Sequence, residues 1–202
     1  MNNLTVYSCV SGGYDDRRND GRIYVDPSDR YKHERMNAKV AKVLSHKYTD
    51  TEWSIWVDSN MEMRYKYEQI LELFLDTNPD LQVGVFEHPD RKYISEEIDV
   101  CKRLGLDDKE RLDYHKQKEN GNRLAYCGII IRRNTELVKQ HNEQWWAEIS
   151  RGSSRDQCSF PYTLGKIATY IKLEPPPKFN GIGIHCNNKY YQRMPHRKGR
   201  FQ

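Results

Sequence analysis

The chain has 202 residues, of which 33 are Lys or Arg and 29 are Asp or Glu, so its formal net charge is only +4. This length suits one domain, and 14 Tyr, 4 Trp and 5 Phe disfavour a disordered chain. No apolar run approaches the roughly 18 residues of a membrane span, the N-terminus lacks a secretory signal, and five cysteines without CxxC spacing disfavour zinc. We therefore expect reduced, mostly buried thiols and a cytoplasmic location.

Strand-like apolar runs alternate with segments of helical spacing along the chain. In chain order, the pattern predicts strands at 4–10, 53–58, 81–86 and 126–131, and helices at 34–46, 67–75, 94–104 and 136–149. Helices between strands imply crossover connections and a sheet covered on both faces. The predicted fold class is a three-layer α/β/α domain with a mostly parallel central sheet.

The C-terminal part differs in composition from the rest of the chain. Three prolines at 175–177 cannot continue a helix or a central strand, and a glycine-rich stretch follows them. We expect a single domain over 1–190 and a basic tail over 191–202. This tail is interpreted as a solvated end, a linker to further domains, or, less often, a binding arm.

Polar residues follow the second predicted strand directly. Asp58 and Asn60 lie two positions apart on an extended segment, so both side chains can point into one pocket. Ligands of open α/β sheets bind beyond the carboxyl ends of the strands. A carboxylate and an amide oxygen suit Mg²⁺ or Mn²⁺ when phosphates and waters fill the other positions. A plain turn or helix cap is the alternative interpretation.

Three further polar features have both structural and functional interpretations. Residues 153–160 bring Ser, Arg, Asp and Gln to a predicted helix start, where Ser154 would be the N-cap. Residues 86–91 end a strand with a dense polar cluster that is equally typical of a turn. His185 is either a structural histidine or a nitrogen ligand, which would favour Mn²⁺ over Mg²⁺.

Several ordered blocks resemble the glycosyltransferase-like family known in plants from pectin- and mucilage-related proteins, formerly a domain of unknown function. The blocks lie at 42–46, 53–60, 88–97, 128–134, 145–149 and 154–162, within a region of resemblance from 5 to 175. Through this family the chain resembles the GT-A class of nucleotide-sugar transferases, and its Asp156–Gln157 pair is similar to that of retaining xylosyl- and galactosyltransferases. It is also similar to the first domain of multidomain glycosyltransferases of large algal viruses, which would place it in the host cytoplasm.

The resemblance implies a role for each block. Asp58 and Asn60 stand where the "DxD" element of GT-A enzymes binds a divalent cation, and His185 stands where many of them supply a C-terminal ligand. Asn60 departs from the pattern because it replaces the second carboxylate. Asp156 and Gln157 would be catalytic beside the donor sugar. The implied donor-binding residues are Val10, Ser11, Gly12, Tyr14, Lys39, Asp58, Ser59, His88 and Arg155, with Lys42 near the phosphates.

The expected function is therefore metal-dependent transfer of a hexose-type sugar from a nucleoside-diphosphate donor, UDP in the first instance, to a glycan or other hydroxyl acceptor with retention. The cofactor would be Mn²⁺ or Mg²⁺. One alternative is a non-catalytic basic module that binds a polyanion such as nucleic acid, although the aromatic residues are not interleaved along a basic face. Another is a metal-dependent phosphoesterase or nucleotidyltransferase, which usually gathers more carboxylates.

Overall fold

The structure is a computed structural model that describes residues 3–13, 15–173, 188–194 and 196. Within them the chain forms eight strands: β1 (Leu4–Ser8), β2 (Ile23–Tyr24), β3 (Trp53–Val57), β4 (Met61–Met63), β5 (Val83–Glu87), β6 (Ala125–Arg133), β7 (Ala168–Ile171) and β8 (Tyr191–Arg193). Six strands build a central sheet in the order β2-β1-β3-β6-β5-β7, and β4 pairs with β8 in a small second sheet.

Helices cover both faces of the central sheet. The described helices are α1 (Glu34–Val43), α2 (Tyr67–Thr77), α3 (Ile94–Arg103), α4 (Lys109–Lys116), α5 (Glu136–Arg151) and α6 (Asp156–Thr163), with a 3₁₀ turn at Ser45–Lys47. Successive strand residues point to opposite faces, so Ile130 packs in the cluster that contains Trp145 of α5, whereas Ile129 packs in the cluster that contains Phe74 of α2. The predicted three-layer α/β/α architecture is confirmed.

The direction of β6 positions the site. The β1–β2, β1–β3 and β5–β7 pairs are parallel, whereas β6 runs antiparallel to both of its neighbours, β3 and β5. The start of β6 at Ala125 consequently lies opposite Glu87, at the carboxyl end of β5. The mostly parallel sheet is as predicted, and its one reversed strand places Ala125 and the carboxyl ends of β3 and β5 along a single edge.

The short elements were not predicted from the sequence. Strand β2 has only two residues, and α4 buries only Leu112 and His115, so neither gives a clear hydrophobic period. Residues 191–193, which the sequence assigned to a basic tail, instead form β8, where Arg193 pairs with Met61. The rest of the predicted tail, apart from Met194 and His196, lies outside the described residues.

Two expectations from composition concern cysteines and membrane spans. Cys9, Cys101, Cys127 and Cys158 are buried free thiols, as predicted, and Cys186 lies outside the described residues. Among the helices that the structure describes, none combines the length and apolar character needed to cross a bilayer.

Candidate functional site

Asp58 begins the loop after β3 and is held in a fixed orientation. Its backbone N–H donates to Gly128 O of β6 at 2.8 Å. Its Oδ1 atom accepts from Trp56 Nε1 at 2.7 Å and lies 3.0 Å from Lys42 Nζ. The side chain is 38% exposed, and no described residue donates to Oδ2. One carboxylate oxygen is therefore anchored to the protein, and the other is available to a ligand.

Asp156, the first residue of α6, lies against two lysines of α1. Its Oδ1 is 3.0 Å from Lys39 Nζ, and its Oδ2 is 2.6 Å from Lys42 Nζ. Since Lys42 also contacts Asp58, its ammonium group joins the two carboxylates. We call Lys39, Lys42, Asp58 and Asp156 the lysine–carboxylate cluster. From the sequence, Asp58 is expected to bind a metal, Asp156 to be catalytic, and Lys39 and Lys42 to lie near the donor. The structure brings these four side chains together.

The electrostatics of this cluster keep Asp156 ionised. Burial raises the pKa of Asp156, but the ammonium groups of Lys39 and Lys42 outweigh burial and hold that pKa well below its ordinary value. Burial lowers the pKa of Lys42, but Asp156 and Asp58 outweigh it and raise that pKa. For Lys39 burial is the larger effect and its pKa is lowered. Asp156 therefore presents a buried negative charge, which is favourable beside a developing cation.

The start of α6 differs in detail from its prediction. Ser154 is not the N-cap, because Arg155 takes that position and makes no side-chain capping bond. The hydroxyls of Ser153 and Ser154 instead donate to Asp107 Oδ2, at 2.7 and 2.9 Å. Gln157 Nε2 donates to Ala125 O of β6 at 3.3 Å. The serines therefore fix the approach to α6, and Gln157 lies beside the start of β6.

Two buried side chains that the sequence analysis missed hold the end of α1. Arg132 of β6 is 1% exposed, and its Nη2 donates to Lys42 O at 2.8 Å. Tyr7 OH donates to Ala41 O at 3.2 Å. A cation and a hydroxyl on the last carbonyls of a helix satisfy groups that have no partner within the helix. These contacts fix the backbone of α1 at Ala41 and Lys42, next to the lysine–carboxylate cluster.

Asn60 lies deeper in the same loop, against the C-terminal segment. Its Nδ2 donates to Met194 O at 3.0 Å and lies 3.4 Å from His196 Nε2. Asp15 accepts from His196 Nδ1 at 2.9 Å and from Ser59 Oγ at 2.5 Å. These side chains, with Asp16, Arg17 and Arg18, line a pocket of about 490 Å³. Sequence reasoning missed Asp15 and His196.

The loop after β3 offers two side-chain oxygens, one on Asp58 and one on Asn60, to a cation that is shared with a substrate. Among the residues that the structure describes, no three His, Cys, Asp or Glu side chains are grouped to hold a metal. In the described residues a cation would therefore need other ligands as well, such as amide oxygens or the phosphates of a substrate. Asp58 Oδ2 and Asn60 Oδ1 accept no hydrogen bond from a described residue, and both are oxygen ligands of the kind that Mg²⁺ and Mn²⁺ bind together with phosphates. The predicted ligand His185 lies outside the described residues.

The loop after β1, predicted to bind the donor, packs on the start of α1. Ser11 Oγ donates to Glu34 O at 2.6 Å. Gly12 has φ +61°, and a Cβ placed there would lie 1.1 Å from Glu34 Oε2. The positive φ favours glycine, whereas the Glu34 carboxylate is the end of an exposed, flexible side chain that can move aside. Val10 precedes this turn, whereas Tyr14 lies outside the described residues, so the nucleotide-binding role of the loop stays a prediction.

His88 and Arg155 belong to a separate group at the end of β5. Glu97 of α3, which is 1% exposed, has Oε2 at 2.7 Å from Arg91 Nε and Oε1 at 3.2 Å from Arg155 Nη2. His88 Nε2 lies 2.9 Å from Arg91 Nη2. We call His88, Arg91, Glu97 and Arg155 the arginine cluster. It joins β5, α3 and α6, and Arg155 connects it in sequence to Asp156.

The arginine cluster predicts a pH-dependent stability that depends on His88. Burial, together with the charges of Arg91, Arg193 and Arg155, lowers the pKa of His88 from its ordinary 6.5 to about 3. Between pH 6.5 and 3, the unfolded chain therefore binds a proton at His88 that the folded chain does not bind. The free energy of unfolding consequently falls as the pH drops through this range. The slope is at most about 1.4 kcal/mol per pH unit. Urea unfolding of His88→Gln should show a smaller loss over that window.

The matched control for this prediction is His33→Gln, because His33 is an exposed histidine. We expect that variant to follow the wild-type curve of unfolding free energy against pH. Identical curves for His88→Gln and the wild type would contradict the proposed titration of His88.

The chain is similar to known proteins in both sequence and structure. The chain matches the family model "TOD1/MUCI70, glycosyltransferase-like domain" over residues 20–180. It is similar to "Probable hexosyltransferase MUCI70" of Arabidopsis thaliana, with 26% identity over 162 residues that cover 73% of this chain and 28% of that protein. The chain thus spans less than a third of the length of this curated relative.

Three solved structures show a distant similarity to this chain. A glycosyltransferase involved in glycosylation of the major capsid of PBCV-1 has a TM-score of 0.48 at 12% identity, covering 85% of this chain and 82% of that chain. A197 from STIV has a TM-score of 0.43 at 11% identity, with the same coverage of 85% and 82%. Mouse xyloside xylosyltransferase 1 has a TM-score of 0.43 at 12% identity, covering 74% of this chain and 62% of that chain.

Proposed function

Because the chain belongs to the TOD1/MUCI70 glycosyltransferase-like family, we propose that it transfers a hexose-type sugar from a UDP-sugar to a hydroxyl acceptor in a metal-dependent reaction that retains configuration. The observation that supports this proposal is the lysine–carboxylate cluster. It places two carboxylates at the carboxyl edge of the sheet, where open α/β sheets bind ligands, and joins them through Lys42.

The cation would be held at the mouth of β3. Asp58 Oδ2 and Asn60 Oδ1 would provide protein oxygens, and the donor's two phosphates would provide others. The predicted ligand His185 lies outside the described residues, so we place His196, which lies beside Asn60, as the nitrogen ligand. Its Nε2 accepts from Asn60 Nδ2 at 3.4 Å and would exchange this contact for the cation. Its Nδ1 contacts Asp15 at 2.9 Å, the usual arrangement that fixes the ring of a ligating histidine. When bound, Mn²⁺ or Mg²⁺ would neutralise charge on the leaving diphosphate.

Asp156 and Gln157 would contact the donor sugar. The ionised Asp156 is joined to Asp58 through Lys42, and its neighbour Gln157 is bonded to the start of β6. A fixed negative charge at this place would stabilise the positively charged sugar in the transition state. Lys39 and Lys42 both contact that carboxylate. We therefore assign them to positioning Asp156, and not only to binding the phosphates of the donor.

A direct test is a screen of UDP-sugars with added Mn²⁺ that measures released UDP. We expect activity that EDTA abolishes and that Asp58→Asn lowers. Removing a residue that only hydrogen-bonds to a metal ligand lowers activity roughly 10- to 100-fold. The loss of activity in Asp58→Asn should be larger, because Asp58 would bind the cation directly. A thermal shift with UDP and Mn²⁺ should shrink in the same variant.

The matched control is Asp80→Asn, since Asp80 is an exposed carboxylate in the loop before β5. It should behave as the wild type in both assays. Full activity of Asp58→Asn would remove Asp58 from the mechanism. Salt-sensitive stabilisation by single-stranded DNA, with no response to UDP and Mn²⁺, would instead support the alternative of a polyanion-binding module.

A further inference from the structure

The loop after β3 is a four-residue turn that carries both proposed oxygen ligands of the cation. Its ends meet because Met61 N–H donates to Asp58 O at 3.0 Å. The middle carbonyls accept from outside the turn. Ser59 O accepts from Arg18 Nε at 3.0 Å, and Asn60 O accepts from a backbone N–H of the C-terminal segment at 2.7 Å. Since these carbonyl oxygens already have donors, a cation would bind this turn through its side chains.

Arg22 bonds to both ends of this turn with one guanidinium group. Its Nη1 donates to Asp58 O at 3.1 Å, and its Nη2 donates to Met61 O at 2.6 Å. The carboxylate of Asp20 orients the group, because Arg22 Nε donates to Asp20 Oδ1 at 2.8 Å and Nη2 contacts Asp20 Oδ2. A guanidinium group is planar and rigid. Its two terminal nitrogens therefore fix the separation of the first and last carbonyls of the turn.

The burial of Arg22 separates its role from that of a ligand-binding arginine. Arg18 lines the 490 Å³ pocket and its side chain is 28% exposed, so it can contact a substrate directly. The Arg22 side chain is fully buried and does not line that pocket, so it acts through the backbone of the turn. A buried ion pair contributes little net stability, because desolvation offsets its attraction. Fixing a conformation is therefore the better account of the Arg22–Asp20 pair.

We propose that Arg22 is a positioning residue of the cation site, which fixes the turn so that Asp58 Oδ2 and Asn60 Oδ1 face the same cation. The two oxygens belong to the first and third residues of the turn, and Arg22 sets the distance between its first and last residues. Without the guanidinium group the turn can widen, and the two oxygens move apart. The role of the cation rests on the proposed function, whereas the contacts of Arg22 with the turn do not.

The test measures Mn²⁺ binding rather than turnover. The full chain is titrated with Mn²⁺ at saturating UDP, and free Mn²⁺ is measured by electron paramagnetic resonance. We expect Arg22→Met to weaken Mn²⁺ binding about 10- to 100-fold, the usual cost of losing a group that orients metal ligands, and to leave UDP affinity without metal unchanged. Arg22→Lys keeps the buried charge beside Asp20 and so protects the fold. It should not restore Mn²⁺ affinity, because an ammonium group lacks the planar pair of donors that spans the turn.

Arg111→Met is the matched control, because Arg111 Nε donates to the backbone carbonyl of Gly152 at 2.7 Å in another part of the chain. This variant should lose stability and keep the Mn²⁺ affinity of the wild type. Hydrogen exchange gives a readout without metal. The amides of Asp58 and Met61 are both hydrogen-bonded, and they should exchange faster in Arg22→Met than in the wild type or in Arg111→Met.

Three results would overturn the role of Arg22. They are Mn²⁺ binding by Arg22→Met as tight as that of the wild type, an equal loss of Mn²⁺ affinity in Arg111→Met, and unchanged amide exchange in the turn. Full Mn²⁺ affinity of Arg22→Lys would reject the part played by the planar donors. The failure of the proposed function is distinguishable, because the wild type itself would then bind no Mn²⁺ in the presence of UDP, and the assignment of Arg22 to a cation site would fall with it.

Discussion

Replacing Asp156 by Asn is expected to lower the kcat of sugar transfer by about 100- to 1,000-fold, the usual cost of removing a preorganised electrostatic group. The variant keeps the size of the side chain but removes a charge that is buried and held by Lys39 and Lys42. That charge acts on the cationic transition state more than on the bound donor, so UDP affinity should change only a few-fold. Steady-state kinetics with a UDP-sugar, together with calorimetric titration of UDP, measures both quantities.

The control for this prediction is Asp99→Asn, in which an exposed carboxylate paired with Lys116 loses the same charge. It should retain wild-type kcat. Because Asp156→Asn leaves Lys39 without its carboxylate partner and Lys42 with Asp58 alone, its thermal unfolding must be recorded beside the kinetics. A folded Asp156→Asn variant with near-normal kcat would reject the catalytic role of Asp156.

The layers of the fold could be predicted from the sequence because the long elements have clear hydrophobic periods. The run from Ile129 to Ile131 is buried on both faces of the sheet, as its continuous apolar character indicates. The same continuous apolar run does not show which way the strand runs, because it has no alternation of apolar and polar residues that would distinguish the two directions. Its neighbouring strands are also distant in sequence. The antiparallel placement of β6 therefore appears only in the structure.

The candidate site could be predicted in part. The sequence and its family resemblance pointed to Asp58 and Asp156, since each follows an apolar or helical segment with a polar cluster. The bridging position of Lys42 could not be predicted, because a lysine on a helix is expected to be solvent-exposed until the contact between α1 and α6 is known. His196 was missed for a similar reason, since only the pairing of β8 with β4 brings it to Asn60.

Replacing Lys42 by Met is expected to destabilise the protein by about 3 kcal/mol, or roughly 10 °C in Tm. The Lys42 and Asp156 side chains are only 7% and 8% exposed, so the variant leaves a buried carboxylate with one of its two ammonium partners. It also removes the cation that separates Asp156 from Asp58, and like charges at this distance disfavour each other's ionised form. Urea unfolding at pH 7 measures the loss.

The matched control is Lys47→Met, because the pair that Lys47 forms with Glu143 is about half exposed on both sides, at 50% and 48%. Lys47→Met should therefore cost less than about 1 kcal/mol. Both variants lose one lysine charge, so the difference between their free energies of unfolding gives the effect of burying the ion pair. If Lys42→Met unfolded at the same urea concentration as Lys47→Met, the ammonium group of Lys42 would not hold the two carboxylates together, and the cluster would lose its central contact.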